Sequence, residues 1–234
     1  MSTKMNQNLL LLHGALGTKD QFRSLKEKLS HEFQVHDLDF EGHGKRASPK
    51  EFTMGLFTEN VIAYLSEKKI KKAHIFGYSM GGYVGLNVAQ KHPDFVGKII
   101  TLGTKFTWTE ETAAKEVRML NPQKIEEKVP AFANMLAAVH TKNNWKEVVD
   151  KTAKMMLGLG RGERLTEKDL EEIKHETLIG IGSKDNMVSI EESKESAEIL
   201  PNGNLRIIED FQHPIDRINE EVLTSIIVDF IKKQ

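Results

Sequence analysis

The chain contains no cysteine. Disulfides, thiolate metal sites and a cysteine nucleophile are therefore excluded, and a reducing compartment is the expectation. Long hydrophobic runs are also missing. Leu9–Leu12 is the longest near the start, too short for a signal-peptide core and far too short to span a bilayer. A cytoplasmic protein with no membrane span is expected. Neither sign of charge is in excess: 33 basic side chains face 34 acidic ones, for a net charge of −1. Without a basic field, no nucleic-acid or anionic-membrane partner is expected, and the near-zero charge neither favours nor opposes self-association. Low-complexity tracts, Pro-rich or Gly/Ser linkers and solenoid-period repeats are absent as well. What remains is an ordinary globular balance of 39% hydrophobic and 29% charged residues in 234. At about 150 residues per domain, the expectation is one α/β core carrying an insertion.

The chain alternates between two kinds of segment. Short apolar runs bounded by glycine fall at Asn8–Leu12, Phe33–Phe40, Ala73–Phe76, Val96–Leu102, Thr177–Ile181 and Leu205–Ile208. Such runs read as strands buried on both faces, as in a parallel sheet. Helical spacing occupies Thr18–Ser30 (Phe22, Leu25, Leu29), Thr53–Lys68 (Leu56, Val61, Leu65), Ser79–His92, Ile190–Leu200 and Ile215–Lys232 (Ile218, Val222, Ile226, Phe230). Two of these stop before prolines 93 and 201. Strand–helix alternation predicts a mostly parallel central sheet flanked by helices.

The rhythm fails between Thr104 and His175, where only helical patterns appear. Residues 104–175 are therefore expected to form a helical insertion, with residues 1–103 and 176–234 as the core. The insertion carries Trp108, Trp145, Met119, Met135, Met155 and Met156, with Met187 just beyond. These side chains either pack the insertion itself or make an adaptable apolar lid over a pocket. Leu16, Tyr78, Phe106, Trp108, Trp145 and Met187 are the candidate pocket residues.

The strongest chemical signal is Gly77-Tyr78-Ser79-Met80-Gly81-Gly82, which follows a strand and opens a helix. A serine hydroxyl becomes a useful nucleophile only when it is exposed, aimed and deprotonated by a neighbour. A tight strand-to-helix turn aims it, and glycines keep that turn free of clashes. The base and its orienting acid should lie beyond the ends of later strands. His213 follows the sixth run and Asp185 the fifth, giving the chain order serine, acid, histidine. Backbone N–H groups of Ala15, in His13-Gly14-Ala15-Leu16-Gly17, and of Met80 are the natural donors to an oxyanion.

Other polar features ask for no cofactor or metal. His31 and His36 are five apart, off the four-residue spacing of a zinc helix, and Phe33 opens a strand. Gly158, Gly160 and Gly162 follow no strand, so no dinucleotide site is expected. His13 and His43 should brace their loops, whereas His140 and His175 have no partner visible in sequence.

Taken together, the His13-Gly14 loop, the Gly42-His43-Gly44 loop, the Gly77–Gly81 turn, Asp185 and His213 resemble the α/β-hydrolase superfamily. The resemblance covers nearly the whole chain. It implies an eight-stranded, mostly parallel sheet with an antiparallel second strand, here trimmed at the amino end, and a helical cap at 104–175. Carried over, Ser79 is the nucleophile, His213 the base, Asp185 the orienting acid, and Ala15 with Met80 the oxyanion hole. The expected reaction is hydrolysis of a small acyl compound, with a carboxylic ester as the leading substrate class. Two alternatives accompany it. The Gly-Tyr-Ser-Met-Gly-Gly turn and His-Gly loop are also similar to the menaquinone-pathway lyase, whose relatives include C–C bond hydrolases; that family places arginine where this chain has Tyr83. The other alternative is a slow-turnover ligand-binding receptor.

Overall fold

The computed structural model describes residues 7–233. Its centre is a six-stranded sheet of β1 (Asn8–Leu12), β2 (Gln34–Asp37), β3 (Ala73–Tyr78), β4 (Val96–Leu102), β5 (Thr177–Gly182) and β6 (Gly203–Ile208). The spatial order is β2-β1-β3-β4-β5-β6, and every pairing is parallel. The sheet thus has six strands rather than eight, and none of the described strands is antiparallel. β2 is shorter than the apolar run suggests, because only Gln34–Asp37 stays beside Asn8–Leu11.

Helices supply the crossovers that parallel neighbours require. In chain order, α1 (Arg23–Leu29) and α2 (Met54–Glu67) flank β2, and α3 (Met80–Lys91) follows β3. Between β4 and β5 lie α4 (Glu110–Glu116), α5 (Pro122–Lys128), α6 (Pro130–Val139), α7 (Trp145–Gly160) and α8 (Glu167–Glu172). α9 (Ile190–Ile199) and α10 (Glu220–Lys232) complete the chain. No strand interrupts residues 104–175, in line with the helical spacing there. Among the described residues, no helix is long and apolar enough to cross a membrane.

Side chains alternate across the sheet with period two. Leu9 and Leu11 pack with Phe76, Ile100 and Leu102 beneath α1 and α10. Leu10 and Leu12 pack with Ile75, Ile99 and Ile179 beneath α2 and α3. All four β1 leucines are fully buried, and each such side chain contributes about 1.5–3 kcal/mol of transfer free energy. The edge strands depart from the expectation of burial on both faces. Ile207 of β6 is 46% exposed, because an edge strand has a neighbour on one side only.

The last helix also differs. Ile215–Arg217 forms a separate 3-10 turn, and Asn219 starts α10 afresh by accepting from the N–H groups of Glu221 and Val222. That cap rotates the buried stripe. Leu223, Ile226, Ile227 and Ile231 face the core, while Val222 is 41% exposed.

Two features of the sheet position the site. The chain moves outward from β1 to β2, then returns to the far side of β1 as β3. Ligands gather at such a reversal, beyond the carboxyl ends of the strands. Register then aligns those ends: Leu12 lies beside Gly77, Tyr78 beside Leu102, and Gly182 beside Ile208. The loops carrying residues 13–17, 79–82, 103–105, 183–188 and 209–213 therefore leave the sheet on one rim.

Candidate active site

Ser79 occupies the turn between β3 and α3 with φ 51° and ψ −118°. A non-glycine residue at positive φ costs on the order of 1–3 kcal/mol and persists only where its surroundings hold it. Here the Ser79 N–H donates to Leu102 O at 2.8 Å, and its carbonyl accepts from Thr104 Oγ1 at 2.9 Å and the Gly82 N–H at 3.1 Å. The turn is too tight for side chains at its flanks. A Cβ on Gly81 would stand 2.0 Å from Leu12 O, and one on Gly77 would stand 2.3 Å from Gly82 N. This contact also presses the first turn of α3 against the end of β1, beside the loop that holds Ala15.

His213 and Asp185 form a buried pair. The His213 ring hydrogen-bonds through Nδ1 to Asp185 Oδ2 at 2.9 Å, and the two side chains are 8% and 2% exposed. Asp185 Oδ1 accepts from the N–H groups of Met187 at 2.9 Å and Val188 at 3.0 Å. Burial works against its charge, but the bond to His213 and the two backbone donors outweigh it, so the carboxyl stays below its ordinary range. An ionised Asp185 makes His213 Nδ1 a donor and leaves Nε2 free to accept a proton. Tyr78, beneath the ring at 5.5 Å between centroids, donates its hydroxyl to His213 O at 2.9 Å. Burial raises the Tyr78 pKa and keeps this donor protonated.

The loop after β1 is braced by histidines. The Phe40 N–H can only donate, so His13 Nε2, 3.2 Å away, accepts, and its Nδ1–H donates to Gly14 O at 2.8 Å. His140, which ends α6, accepts from the Gly44 N–H at 2.9 Å and donates from Nε2 to Leu16 O at 3.0 Å. It joins loops lying 96 and 124 positions away. His43 stacks on Phe52 between these two rings, at 5.1 Å from His13 and 5.7 Å from His140.

Burial lowers all three histidine pKa values, to about 4 for His13 and well below 6.5 for His43. His13 and His140 also accept from the Phe40 and Gly44 N–H groups, which a protonated ring nitrogen cannot do. An unfolded chain takes up these protons near pH 6.5, whereas the folded His13 resists until about 4. The stability they contribute is thus complete above about pH 6.5 and drains away as the pH falls towards 4. Urea unfolding should show stability at pH 5 lower than at pH 7 by about 2 kcal/mol or more. Equal midpoints at the two pH values would contradict this account.

A cavity of about 50 Å³ opens beside Ser79, and Ala15, Met80 and His213 line it too. Ser79 Oγ has no hydrogen-bond partner among the described residues, so it and the His213 ring meet across this shared space. Trp108 and Met187 of the candidate pocket residues reach the cavity, as do Met155 and Met156. The other four candidates do not. Tyr78 lies on the opposite face of the sheet, beneath His213. Leu16 turns towards the α5–α7 packing, and Trp145 packs there with Ile125, Ala133 and Val149. Phe106 packs near Tyr83 while its N–H is taken by Glu192. Met119 and Met135 are exposed, at 77% and 43%, and neither lines the cavity.

Sequence reasoning missed three charged side chains: Lys105 and Glu116, which line the cavity, and the buried Glu192 behind them. The only available signal was the position of Lys105 just beyond β4. Glu192 belongs to the box that caps α9, and it also accepts from the N–H groups of Phe106 and Thr107 at 2.9 and 3.2 Å. That anchor turns Lys105 and Trp108 towards the cavity.

A parallel sheet with a strained serine corner, a buried His–Asp pair and a braced loop on one rim defines the α/β-hydrolase class of fold. The family profile for the alpha/beta hydrolase fold matches residues 7–144, and the chain belongs to that family. An uncharacterized hydrolase of Bacillus subtilis, YugF, is 25% identical over 97% of this chain and 90% of its own length. A pimeloyl-[acyl-carrier protein] methyl ester esterase of Edwardsiella ictaluri is 29% identical over 48% of this chain, a match that spans only 42% of that relative. Among solved structures, a thermophilic esterase from Thermogutta terrifontis superposes with a TM-score of 0.79 at 21% identity, covering 99% of this chain and 91% of that one. That last likeness speaks to the fold alone.

Proposed function

We propose that the protein is a serine hydrolase acting on a small carboxylic ester. The observation that carries this reading is the His213–Asp185 pair opening onto the same cavity as a serine held at positive φ. Once substrate brings Ser79 Oγ within about 2.6–3.2 Å of His213 Nε2, the ring takes the hydroxyl proton as the oxygen attacks the ester carbon. Negative charge then collects on the former carbonyl oxygen, where the N–H groups of Ala15 and Met80 donate to it. His213 returns the proton to the departing alcohol and next activates water to release the acid from the acyl-enzyme. Asp185 holds the ring and offsets its transient positive charge. Residues 104–175 act as the cap, because the walls supplied by Trp108, Met155 and Met156 come from that segment.

The lyase alternative asks for a cation after the double glycine. Tyr83 stands there, and its hydroxyl accepts from the Leu165 N–H at 2.7 Å. The site therefore offers no carboxylate anchor at that position, and ester hydrolysis is the better reading.

A fluorophosphonate probe tests whether Ser79 is activated, independently of the natural substrate. Peptide mass spectrometry should find one adduct, on the peptide containing Ser79. An unmodified protein, or an adduct confined to another serine, would remove the proposal.

A further inference from the structure

Apart from Ser79 and His213, the cavity is apolar except at one wall, where Lys105 Nζ stands 3.5 Å from Glu116 Oε1 and 3.7 Å from Glu192 Oε2. The three side chains are 16%, 19% and 9% exposed, so the charges are largely shielded from water. Burying charge is costly unless it is hydrogen-bonded as well as paired. Glu192 meets that requirement through the Phe106 and Thr107 N–H groups and the Ser189 backbone and hydroxyl. Glu116 and Lys105 do not. Among the described residues, neither the Glu116 carboxylate nor the Lys105 ammonium makes a hydrogen bond, and both line the cavity. The ammonium also lies 6.0 Å from the centre of the Trp108 ring, which lines the same cavity.

From this unfinished pair we infer that the site takes a short ester carrying a hydroxyl group, and that the hydroxyl bridges Lys105 and Glu116 from the cavity side. The inference rests on the ester-hydrolase reading for the reacting end and adds the recognition of the other end. Lys105 offers donors and needs an acceptor; Glu116 offers an acceptor and needs a donor. A hydroxyl oxygen is both at a single atom. Placed about 2.8 Å from each partner, it closes a triangle on the 3.5 Å gap. A carboxylate would become the third anion around one ammonium, and an amine would meet Lys105 at close range. The flexible Met155, Met156 and Met187 walls suit a short aliphatic connector between the two ends.

The experiment compares methyl butyrate, methyl 3-hydroxybutyrate, 2-hydroxyethyl butyrate and monomethyl succinate by titrating released acid. At least one hydroxy ester should exceed methyl butyrate by about 10- to 100-fold in kcat/KM, since without it the Lys105–Glu116 ion pair keeps unfilled hydrogen-bonding positions. The two hydroxy esters distinguish a hydroxyl on the acyl side from one on the alcohol side. Lys105→Met and Glu116→Leu should each bring that ratio close to one, with thermal melting reporting whether the fold survives. Two substitutions are used because Lys105 also contacts Glu192, so that agreement between them separates loss of the hydroxyl site from a change in packing. Preference for monomethyl succinate, or equal values for hydroxy and plain esters, overturns the inference. Calorimetric binding to Ser79→Ala separates it from the hydrolase reading: tighter binding of a hydroxy ester supports it even without turnover, and equal binding of all four overturns it.

Discussion

Replacing Ser79 with alanine should lower the turnover of a short p-nitrophenyl ester by roughly 10³-fold or more while leaving the fold intact. The size of the effect follows from what alanine removes. The covalent route disappears entirely, and what remains is the acceleration due to the Ala15 and Met80 N–H groups and to substrate positioning. The intact fold follows from what alanine keeps. The strained backbone at residue 79 is held by main-chain bonds to Leu102 and Gly82 and by the Thr104 hydroxyl, none of which involves the serine side chain. Far-ultraviolet circular dichroism and a melting temperature close to wild type would establish this. Comparable turnover in the two proteins would mean that the strained corner serves something other than catalysis.

Asp185→Asn should reduce turnover by about 10³- to 10⁴-fold through a different route. The asparagine oxygen can still accept from the Met187 and Val188 N–H groups, as Asp185 Oδ1 does at 2.9 and 3.0 Å. Its amide then points at His213 Nδ1 and can only donate. The ring must respond by carrying its proton on Nε2, the nitrogen that faces the cavity, and it can no longer take the serine proton. Loss of the carboxylate also removes the charge that would balance a protonated ring. Fluorophosphonate labelling of Ser79 should slow in parallel with turnover. A variant that keeps wild-type labelling would show that Asp185 only braces the loop after β5.

The sheet and its rim were legible from short-range pattern. Glycine-bounded apolar runs fall on all six strands, with β1 and β4 matching residue for residue. The turn chemistry around Ser79 was legible in part: Gly77 answers to a clash with Gly81 and Gly82 a few residues on, whereas Gly81 answers to Leu12 at the end of β1, which only the folded sheet brings near. The face of α10 was not. Its stripe depends on Asn219 restarting the helix, and periodicity read straight through from Ile215 selects a neighbouring set of side chains.

Sequence by itself determined that serine, acid and histidine follow three different parallel strands, β3, β5 and β6, at one end of the sheet. Strand direction and loop position follow from local periodicity and turn chemistry. The tertiary structure alone decided what surrounds them. Glu192 reaches back 86 positions to hold the Phe106 backbone, and His140 reaches 124 to hold Leu16. Whether Trp108 or Trp145 faces the cavity depends on how α4 and α7 settle over the rim. Such contacts are made by side chains brought together only when separate helices pack, and no periodicity within one segment encodes their partners.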